Sequence, residues 1–216
     1  MRNPVFLSVG LAIVVVSATS HATSQRRARA VRRAADITID GRLNDPGWQS
    51  VPAQSGFIQR MPMEGAAPNA DTEFRIAYDD DALYVALRAH DHEPAKIARV
   101  LTRRDDPGQS DWLMIALDSY NDKRSGFVFA VSPAGVQRDM ALYDDVGEDV
   151  SWDAVWSAAT GVDASGWTAE MRIPLSQLRY SSDAEQTWGI QVMRQVARTG
   201  EQSFFAPVPK STNRMV

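Results

Sequence analysis

Residues 110–137, SDWLMIALDSYNDKRSGFVFAVSPAGVQ, determine the fold class. The first half alternates, with Leu113, Ile115 and Leu117 on one face and Trp112, Met114 and Ala116 on the other. A turn-rich segment follows, and a second alternation then places Phe127, Phe129 and Val131 on one face. Alternation with a period of two is typical of strands that bury one face in a core. We therefore predict an antiparallel meander whose second face carries a tryptophan.

The same pattern extends in both directions from this meander. About ten short strands are predicted, at residues 37–40, 53–60, 72–78, 82–90, 112–118, 126–131, 136–142, 154–159, 167–173 and 188–196. Short helices are predicted only near 94–100 and 175–178. There is no alternation of strands and helices and no glycine-rich phosphate-binding motif. The pattern predicts an all-β protein, an antiparallel β-sandwich of jelly-roll-like form.

Length and cysteine content limit the chemistry. The chain has 216 residues, enough for one domain with a sizeable core. It has no cysteine, which excludes disulfides, thiolate metal sites and thiol catalysis.

The first 22 residues have the pattern of a secretory signal peptide. Arg2 precedes an apolar run from Val5 to Ala18, and Ser20-His-Ala22 offers small residues for cleavage. The alternative is an uncleaved membrane anchor, but a run of about fourteen residues is short for a bilayer that needs roughly 20. We therefore expect export to the periplasm, the outer-membrane surface or the extracellular space.

Charge is divided unevenly along the chain. Residues 23–35 carry five arginines and no acid, whereas residues 36–216 carry 17 basic and 27 acidic residues, a net charge of −10. An acidic body argues against nucleic acid as a partner. The basic segment is interpreted as a disordered linker, with contact to anionic lipid or lipopolysaccharide as the alternative. The sandwich is expected over 36–200, followed by an irregular tail over 201–216.

Two groups of side chains were considered as metal sites. His90-Asp-His-Glu93 has the residue types of a zinc site, but the alternative, a solvated turn, fits better because the body of the chain has no third histidine. Four acids in two acidic clusters are weak calcium candidates: Asp79, Asp81, Asp144 and Asp145. The alternative is that they are ordinary surface acids, so no cofactor is assigned with certainty.

Catalysis has little support in the sequence. No Ser-His-Asp arrangement is present, and a glycosidase would need two carboxylates facing one another across a cleft. Glu170 lies in the middle of a strand and points away from its apolar side, so we expect it on a polar sheet face beside Arg88 or Arg172. The default expectation is a protein without catalytic activity.

Tryptophan gives the strongest functional signal. Trp48, Trp167 and Trp188 are in phase with apolar neighbours or adjoin turns, and they are interpreted as core. Trp112 is out of phase with its strand's apolar face, while Trp152 and Trp156 flank an acidic loop. Exposed aromatic rings on a rigid sheet suit stacking against a sugar ring. The alternative for Trp112 is packing beneath a loop or against another domain.

Four motifs in order resemble the family 9 carbohydrate-binding modules. They are ITIDG with LNDPGW (residues 37–48), IAYDDDALYV (76–85), DWLMIALD (111–118) and GWTAEMRIP (166–174). The resemblance covers roughly residues 36–196. It implies a β-sandwich that binds sugars, historically attached to xylanases and often associated with calcium.

Two further segments resemble a subgroup of that family. NDKRSGFVF (121–129) and WDAVW (152–156) look like those at the N-terminus of large bacterial outer-membrane-associated proteins, where a C-terminal barrel region follows. Because this chain stops at Val216, we expect a fragment or truncated product of such a protein.

The resemblance also points to individual site residues. Members that bind sugar use two tryptophans, a glutamate and an arginine. The glutamate position falls on Met114, the preceding tryptophan position falls in Pro107-Gly108, and the arginine corresponds to Arg138. The expected ligand-binding set is therefore Trp112, Met114, Arg138, Trp152 and Trp156. The scaffold resembles the family more closely than the site does.

The sequence thus predicts a secreted, non-catalytic carbohydrate-binding domain linked to the catabolism of xylan-type polysaccharides. One alternative is a periplasmic interaction domain of an outer-membrane barrel protein that binds an envelope partner and no sugar. A second alternative is an accessory part of an O-glycosyl hydrolase.

Overall fold

Two β-sheets face one another in the computed structural model, which describes residues 26–144, 147–183 and 185–212. The strands are β1 (Val31–Arg32), β2 (Ile58–Met61), β3 (Thr72–Tyr78), β4 (Ala82–His90), β5 (Trp112–Asp118), β6 (Gly126–Val131), β7 (Gln137–Tyr143), β8 (Gly147–Asp149), β9 (Ser157–Asp163), β10 (Gly166–Pro174), β11 (Gly189–Val196) and β12 (Glu201–Phe204). Helical structure in these ranges is limited to α1 (Pro46–Gln49) and two 3-10 turns, Pro94–Lys96 and Leu175–Gln177.

The five-stranded sheet has the order β1-β3-β4-β10-β9, and the seven-stranded sheet has the order β2-β12-β11-β5-β6-β7-β8. Pairing is antiparallel except between β1 and β3. The predicted antiparallel sandwich is therefore confirmed.

The main core lies between the two sheets. Leu83, Val85 and Leu87 of β4 pack in one cluster with Leu113, Ile115 and Leu117 of β5 and with Phe129 and Trp167. These are the apolar positions of the alternating strands, because successive side chains of a strand point to opposite faces. The interior assignment of the opening meander is confirmed.

The outer face of the seven-stranded sheet is also buried. It carries a second apolar cluster, here called the outer cluster: Trp112, Met114, Ala116, Val128, Ala130, Val136, Met140, Met193 and Phe204. Trp112 is only 3% exposed, and its Nε1 donates a hydrogen bond to the Pro107 carbonyl at 3.0 Å. The expectation of an exposed Trp112 is wrong, because a loop covers this side of the sheet; the alternative of packing beneath a loop describes the structure.

A third apolar cluster lies on the outer face of the five-stranded sheet. Trp48 and Val51, from the segment around α1, pack there against Ala77, Tyr84 and Ala86. The prediction of Trp48 as core is confirmed. Glu170 lies under this segment at 0% exposure, so it is neither on a solvated face nor paired with Arg88, which binds Asp163 instead.

Several elements differ from the sequence-based expectation. No strand forms at 37–40, whereas β1 lies within the segment expected to be a disordered linker. Arg33 in that segment donates to Asp79 at 2.8 Å, and this ion pair helps to fix it against the fold. β12 lies within the expected irregular tail. The predicted signal peptide and the end of the tail, residues 213–216, lie outside the described residues.

No helix within the described ranges is long and apolar enough to cross a bilayer.

Candidate functional site

The structure contains an open cleft of about 1560 Å³. Its lining comes from five parts of the chain: residues 26–30, the turn between β3 and β4, the loop after β5, and the segments 175–191 and 206–212. Loops that converge from a rigid sandwich are a common place for binding sites. Their local structure decides which side chains face the cleft.

Asp118 organises the loop that follows β5. It is fully buried and accepts hydrogen bonds from the backbone N–H groups of Asp122 at 3.1 Å and Lys123 at 2.7 Å. Asn121 and Lys123 adopt φ angles of 53° and 59°, in the left-handed region. The carboxylate thus fixes a tight loop, which brings Asn121 and Lys123 to the cleft.

The facing loop carries an aromatic pair. The rings of Tyr180 and Trp188 lie 5.6 Å apart between centroids, at an interplanar angle of 47°. Trp188 Nε1 donates to Gln186 Oε1 at 3.1 Å, which fixes the indole. Ser119 donates from its hydroxyl to the Arg179 carbonyl, so the two loops are tied together. Tyr180 is 39% exposed and Trp188 is partly exposed, so ring surface faces the cleft.

The N-terminal segment, residues 26–30, forms another wall of the cleft. Gln54 Nε2 donates to the Arg29 carbonyl at 3.4 Å, and the Arg26 guanidinium donates to the Gly56 carbonyl and lies 5.7 Å from the Phe205 ring centre. Ala28 packs against the main core. These contacts hold the segment in place, while the side chains of Arg27 and Arg29 remain exposed at the cleft.

Several polar groups of the cleft are not used by the fold. Within the part of the chain that the structure describes, three side-chain groups have no hydrogen-bond partner: the Tyr180 hydroxyl, the Asn121 carboxamide and the Lys123 ammonium. Aromatic faces beside free donors and acceptors match what a pyranose presents, with C–H groups on its faces and hydroxyls at its edges. The cleft therefore combines partly exposed aromatic rings with polar groups that the fold leaves free.

The structure separates the residues predicted for the site. Met114 is 8% exposed and lies beside Trp112 in the outer cluster. Arg138 lies on the same face, opposite Ala130, and is partly exposed. Trp112 offers no open ring face, so a role for it in ligand contact stays a prediction that requires the covering loop to move.

Trp152 and Trp156 lie at the main core instead. The Trp152 ring lies 4.9 Å from Phe127 and 5.9 Å from Phe129, between centroids, and Trp156 lies 5.3 Å from Phe129. Trp156 is 7% exposed, and its Nε1 donates to Asp139 Oδ1 at 3.1 Å. Trp152 keeps partial exposure, and its predicted ligand contact is compatible with the structure.

The acids considered for calcium are largely engaged in other contacts. Burial opposes ionisation of Asp79, but the Arg33 guanidinium and the N–H groups of Asp81 and Ala82 outweigh it and lower the pKa of the carboxyl to about 2. Asp144 pairs with Arg124 at 3.2 Å, and Asp145 lies outside the described residues. Among the residues that are described, no group of three or more His, Cys, Asp or Glu could hold a metal.

A smaller cavity of about 210 Å³ is lined by charged side chains. Asp91 accepts hydrogen bonds from Arg198 at 2.8 and 2.9 Å and lies 3.6 Å from Arg194. Burial lowers the pKa of Arg194 and raises that of Asp111 nearby. His92 is exposed at its rim, as expected for a solvated turn. The charges compensate one another, so this cluster is an internal ion-pair network.

Sequence reasoning missed both aromatic residues of the cleft. Trp188 is predicted as core because it directly precedes the apolar alternation of β11. It does pack against the main core, but part of its ring remains exposed at the cleft, which the sequence did not indicate. Tyr180 stands in a segment of serine and acidic residues, RYSSDAEQTW. The sequence feature that points to these residues is the presence of two aromatic residues at the ends of a polar loop.

Comparisons with known proteins agree with this architecture. A family model described as "Carbohydrate family 9 binding domain-like" matches residues 39–205. Among curated proteins, no relative matches the chain.

Solved structures with the same fold were also found. A protein of Bacteroides uniformis ATCC 8492, provisionally described as carbohydrate-binding, aligns with a TM-score of 0.67 and 11% identity over 85% of this chain and 91% of its own. A family 9 carbohydrate-binding module from Caldicellulosiruptor kristjanssonii, in complex with glucose, aligns with a TM-score of 0.57 and 20% identity over 82% and 85%. The same module in complex with cellotriose gives 0.57 and 19% over 82% and 84%.

Proposed function

Because the chain belongs to the family of carbohydrate family 9 binding-domain-like proteins, we propose that it binds carbohydrate in the cleft beside Tyr180 and Trp188. Membership confirms the resemblance seen in the sequence motifs. The family consists of binding modules without catalysis, so the domain is not an enzyme. The location of the site and the sugar bound are the proposed parts.

One observation carries the location. Tyr180 and Trp188 form an aromatic pair that is partly exposed within a large cleft, whereas Trp112 is covered. A pyranose that stacks on such a pair buries its C–H face and leaves its hydroxyls to the rim. Aromatic contacts of this kind contribute about 0.5–1.5 kcal/mol beyond their buried area.

The loop after β5 supplies the polar part of the site. Asn121 can both donate to and accept from sugar hydroxyls, and Lys123 can donate. The backbone N–H of Lys123 donates to the Asp118 carboxylate and that of Asn121 to the Asp118 carbonyl, so the backbone of both residues is already ordered before a ligand binds. We expect the affinity to be weak, because an open cleft buries less of a ligand's surface than an enclosed pocket does.

Titration calorimetry of the full chain against glucose, cello-oligosaccharides and xylo-oligosaccharides tests the proposal. The structural neighbours justify the glucose-based ligands, and the sequence resemblance to xylanase-attached modules justifies the xylose-based ligands. Trp188→Ala should abolish binding with the fold retained by circular dichroism. Tyr143→Ala, which removes an exposed ring outside the cleft, is the control and should bind normally.

The variants also separate function from location. If folded protein binds no sugar of the panel, the proposed function is wrong. If Trp152→Ala abolishes binding while Trp188→Ala leaves it intact, carbohydrate binding holds but the cleft is not the site.

Export and a role in the breakdown of xylan-type polysaccharide are further parts of the proposal. Export is supported by the basic and apolar pattern of residues 1–22. Fractionation of the expressing cells, with N-terminal sequencing of the exported protein, tests it. A protein that stays in the cytoplasm with Met1 in place would contradict it.

A further inference from the structure

The cleft contains cationic side chains that no carboxylate neutralises. Arg27 and Arg29 line one wall, and Lys123 lines the loop that faces it. Within the described residues none of the three forms an ion pair. Nine other basic side chains in these ranges do: Arg32, Arg33, Arg88, His90, Lys96, Arg104, Arg124, Arg194 and Arg198.

The acids of the cleft are mostly committed elsewhere. Asp79 binds Arg33, and Asp80 binds Arg32. Asp118 is buried beneath the backbone N–H groups of its own loop. Two exposed acids of the cleft remain without a cation, Asp183 and Glu185, and Asp183 accepts from the Ser181 hydroxyl. The N-terminal wall itself carries no acid from residue 26 to residue 30.

This wall contrasts with the rest of the domain. Residues 36–216 carry a net charge of −10, whereas residues 26–30 carry three arginines. The backbone of this segment is held by Gln54, and only the Arg26 side chain is bonded to the described part of the fold. Like charges close together are unfavourable unless an opposite charge is near. An anionic group on the ligand would supply that charge at this wall.

We propose that the cleft prefers a carbohydrate that bears carboxylate groups, such as a uronic-acid-containing oligosaccharide. The inference rests on the proposed function and names its substrate class. The aromatic pair receives a sugar ring, while Arg27, Arg29 and Lys123 bind the carboxylate. A guanidinium matches a carboxylate with two parallel hydrogen bonds, and an exposed pair of this kind is worth little singly but more when two or three act together.

Ligands that differ only in charge test this preference. Xylo-oligosaccharides with and without a glucuronic acid branch form one pair, and oligogalacturonides with their methyl esters form another. The acidic member should bind about fivefold to tenfold more tightly at low salt, and the difference should shrink at high ionic strength because exposed charges are screened.

Charge-removing variants locate the preference. The double variant Arg27→Gln with Arg29→Gln should lose the preference for the acidic ligand and keep its affinity for neutral sugar. Lys123→Gln, in the loop after β5, should reduce the preference for the acidic ligand. Arg42→Gln removes an exposed arginine that does not line the cleft and should change nothing.

Each outcome has one meaning. Equal binding of both members of each pair, abolished by Trp188→Ala, overturns the inference and leaves the proposed function standing. A preference that survives all three cleft substitutions also overturns it. Absence of binding by every member removes the proposed function and, with it, this inference.

Discussion

Trp48 Nε1 donates a hydrogen bond to Glu170 Oε1 at 2.7 Å, although the two residues lie 122 positions apart in the sequence. The other carboxylate oxygen of Glu170 accepts from the N–H groups of Gly41 at 2.8 Å and Asp40 at 3.1 Å. One buried carboxylate therefore anchors the segment from residue 40 to residue 48 on the outer face of the five-stranded sheet.

Replacing Trp48 with phenylalanine should destabilise the protein by about 1–3 kcal/mol more than the lost area alone explains, because Glu170 Oε1 is left buried without its donor. Trp167→Phe is the matched control, since the indole N–H of Trp167 is buried and already unpaired within the described residues. Urea unfolding of both variants measures the difference. Equal losses would show that the hydrogen bond to Glu170 contributes nothing.

Glu170 should also give the protein a specific pH dependence. Burial raises the pKa of its carboxyl above 4.5, although the hydrogen bonds from Trp48, Asp40 and Gly41 act in the opposite direction. The folded state then keeps a proton that the unfolded state loses, so this contribution to stability is present below pH 4.5 and is lost as the pH rises through the raised pKa. In Glu170→Gln this contribution is absent at every pH.

The measurement is the free energy of unfolding of both proteins between pH 4 and pH 7. The free energy of unfolding of the wild type should exceed that of Glu170→Gln by the largest amount at the acidic end, and this difference should narrow as the pH rises. Other titrating groups are common to both proteins and cancel in the difference. A gap that widens with pH would contradict a raised pKa for this carboxyl.

Asp118→Ala should loosen the loop after β5, because the N–H groups of Asp122 and Lys123 lose their buried acceptor. We expect a loss of about 1–3 kcal/mol in stability and weaker sugar binding with Trp188 untouched. Tyr120→Ala, which removes an exposed ring of the same loop that does not line the cleft, should affect binding less. Hydrogen exchange at residues 119–125 reports the loosening directly, and unchanged exchange would remove Asp118 as the residue that positions this loop.

Arg104 should control the loop over the outer cluster. Its guanidinium contacts the buried Asp139 carboxylate and donates to the Ala154 carbonyl at 2.8 Å. Arg104→Met leaves that carboxylate without its cation, so we expect faster hydrogen exchange at residues 100–110 and easier quenching of Trp112 fluorescence. Arg103→Met should match the wild type, because the Arg103 side chain is exposed and forms no hydrogen bond or ion pair in the described chain. Identical exchange in the two variants would contradict this role.

Gly166 should tolerate no side chain. Its φ of 139° is one that L-residues rarely adopt, and a Cβ there would lie 2.0 Å from the Ala89 carbonyl oxygen. Gly65 has a φ of 83° with nothing within 4 Å of its Cβ position. Gly65→Ala should therefore lower the free energy of unfolding by about 1 kcal/mol through the backbone alone. Gly166→Ala should lower it several times more, and urea unfolding of both variants measures the difference. Similar costs would contradict the steric explanation.

The long alternating strands could be predicted from the sequence alone. β3, β4, β5 and β6 have the predicted bounds, since a regular period of two leaves little choice of face or length. The two-residue β1 and the three-residue β8 could not be predicted, because strands of this length show no period. β12, EQSF, carries two polar residues that the fold buries, so its sequence does not resemble a strand with one apolar face.

The site was less predictable, because the exposure of a side chain depends on which other segments cover it and not only on its own strand. The alternation in β5 correctly places Trp112 on the face opposite the main core, but it does not show that a loop covers that face. Glu170 is misjudged for the same reason, since its cover comes from residues 40–48. Trp188 was assigned to the core by its neighbours in sequence, whereas its position at a strand end leaves part of its ring at the cleft.

The position of β12 affects the order in which the strands of the seven-stranded sheet can pair during synthesis. β12 lies between β2 and β11, so residues 58–61 have no neighbouring strand in the described sheet until residues 201–204 are available. During synthesis on the ribosome, β2 must wait while some 140 later residues are added. The seven-stranded sheet is therefore completed only after Phe204 has been added, and a nascent chain that stalls before Phe204 leaves both β2 and β11 with an unpaired strand edge.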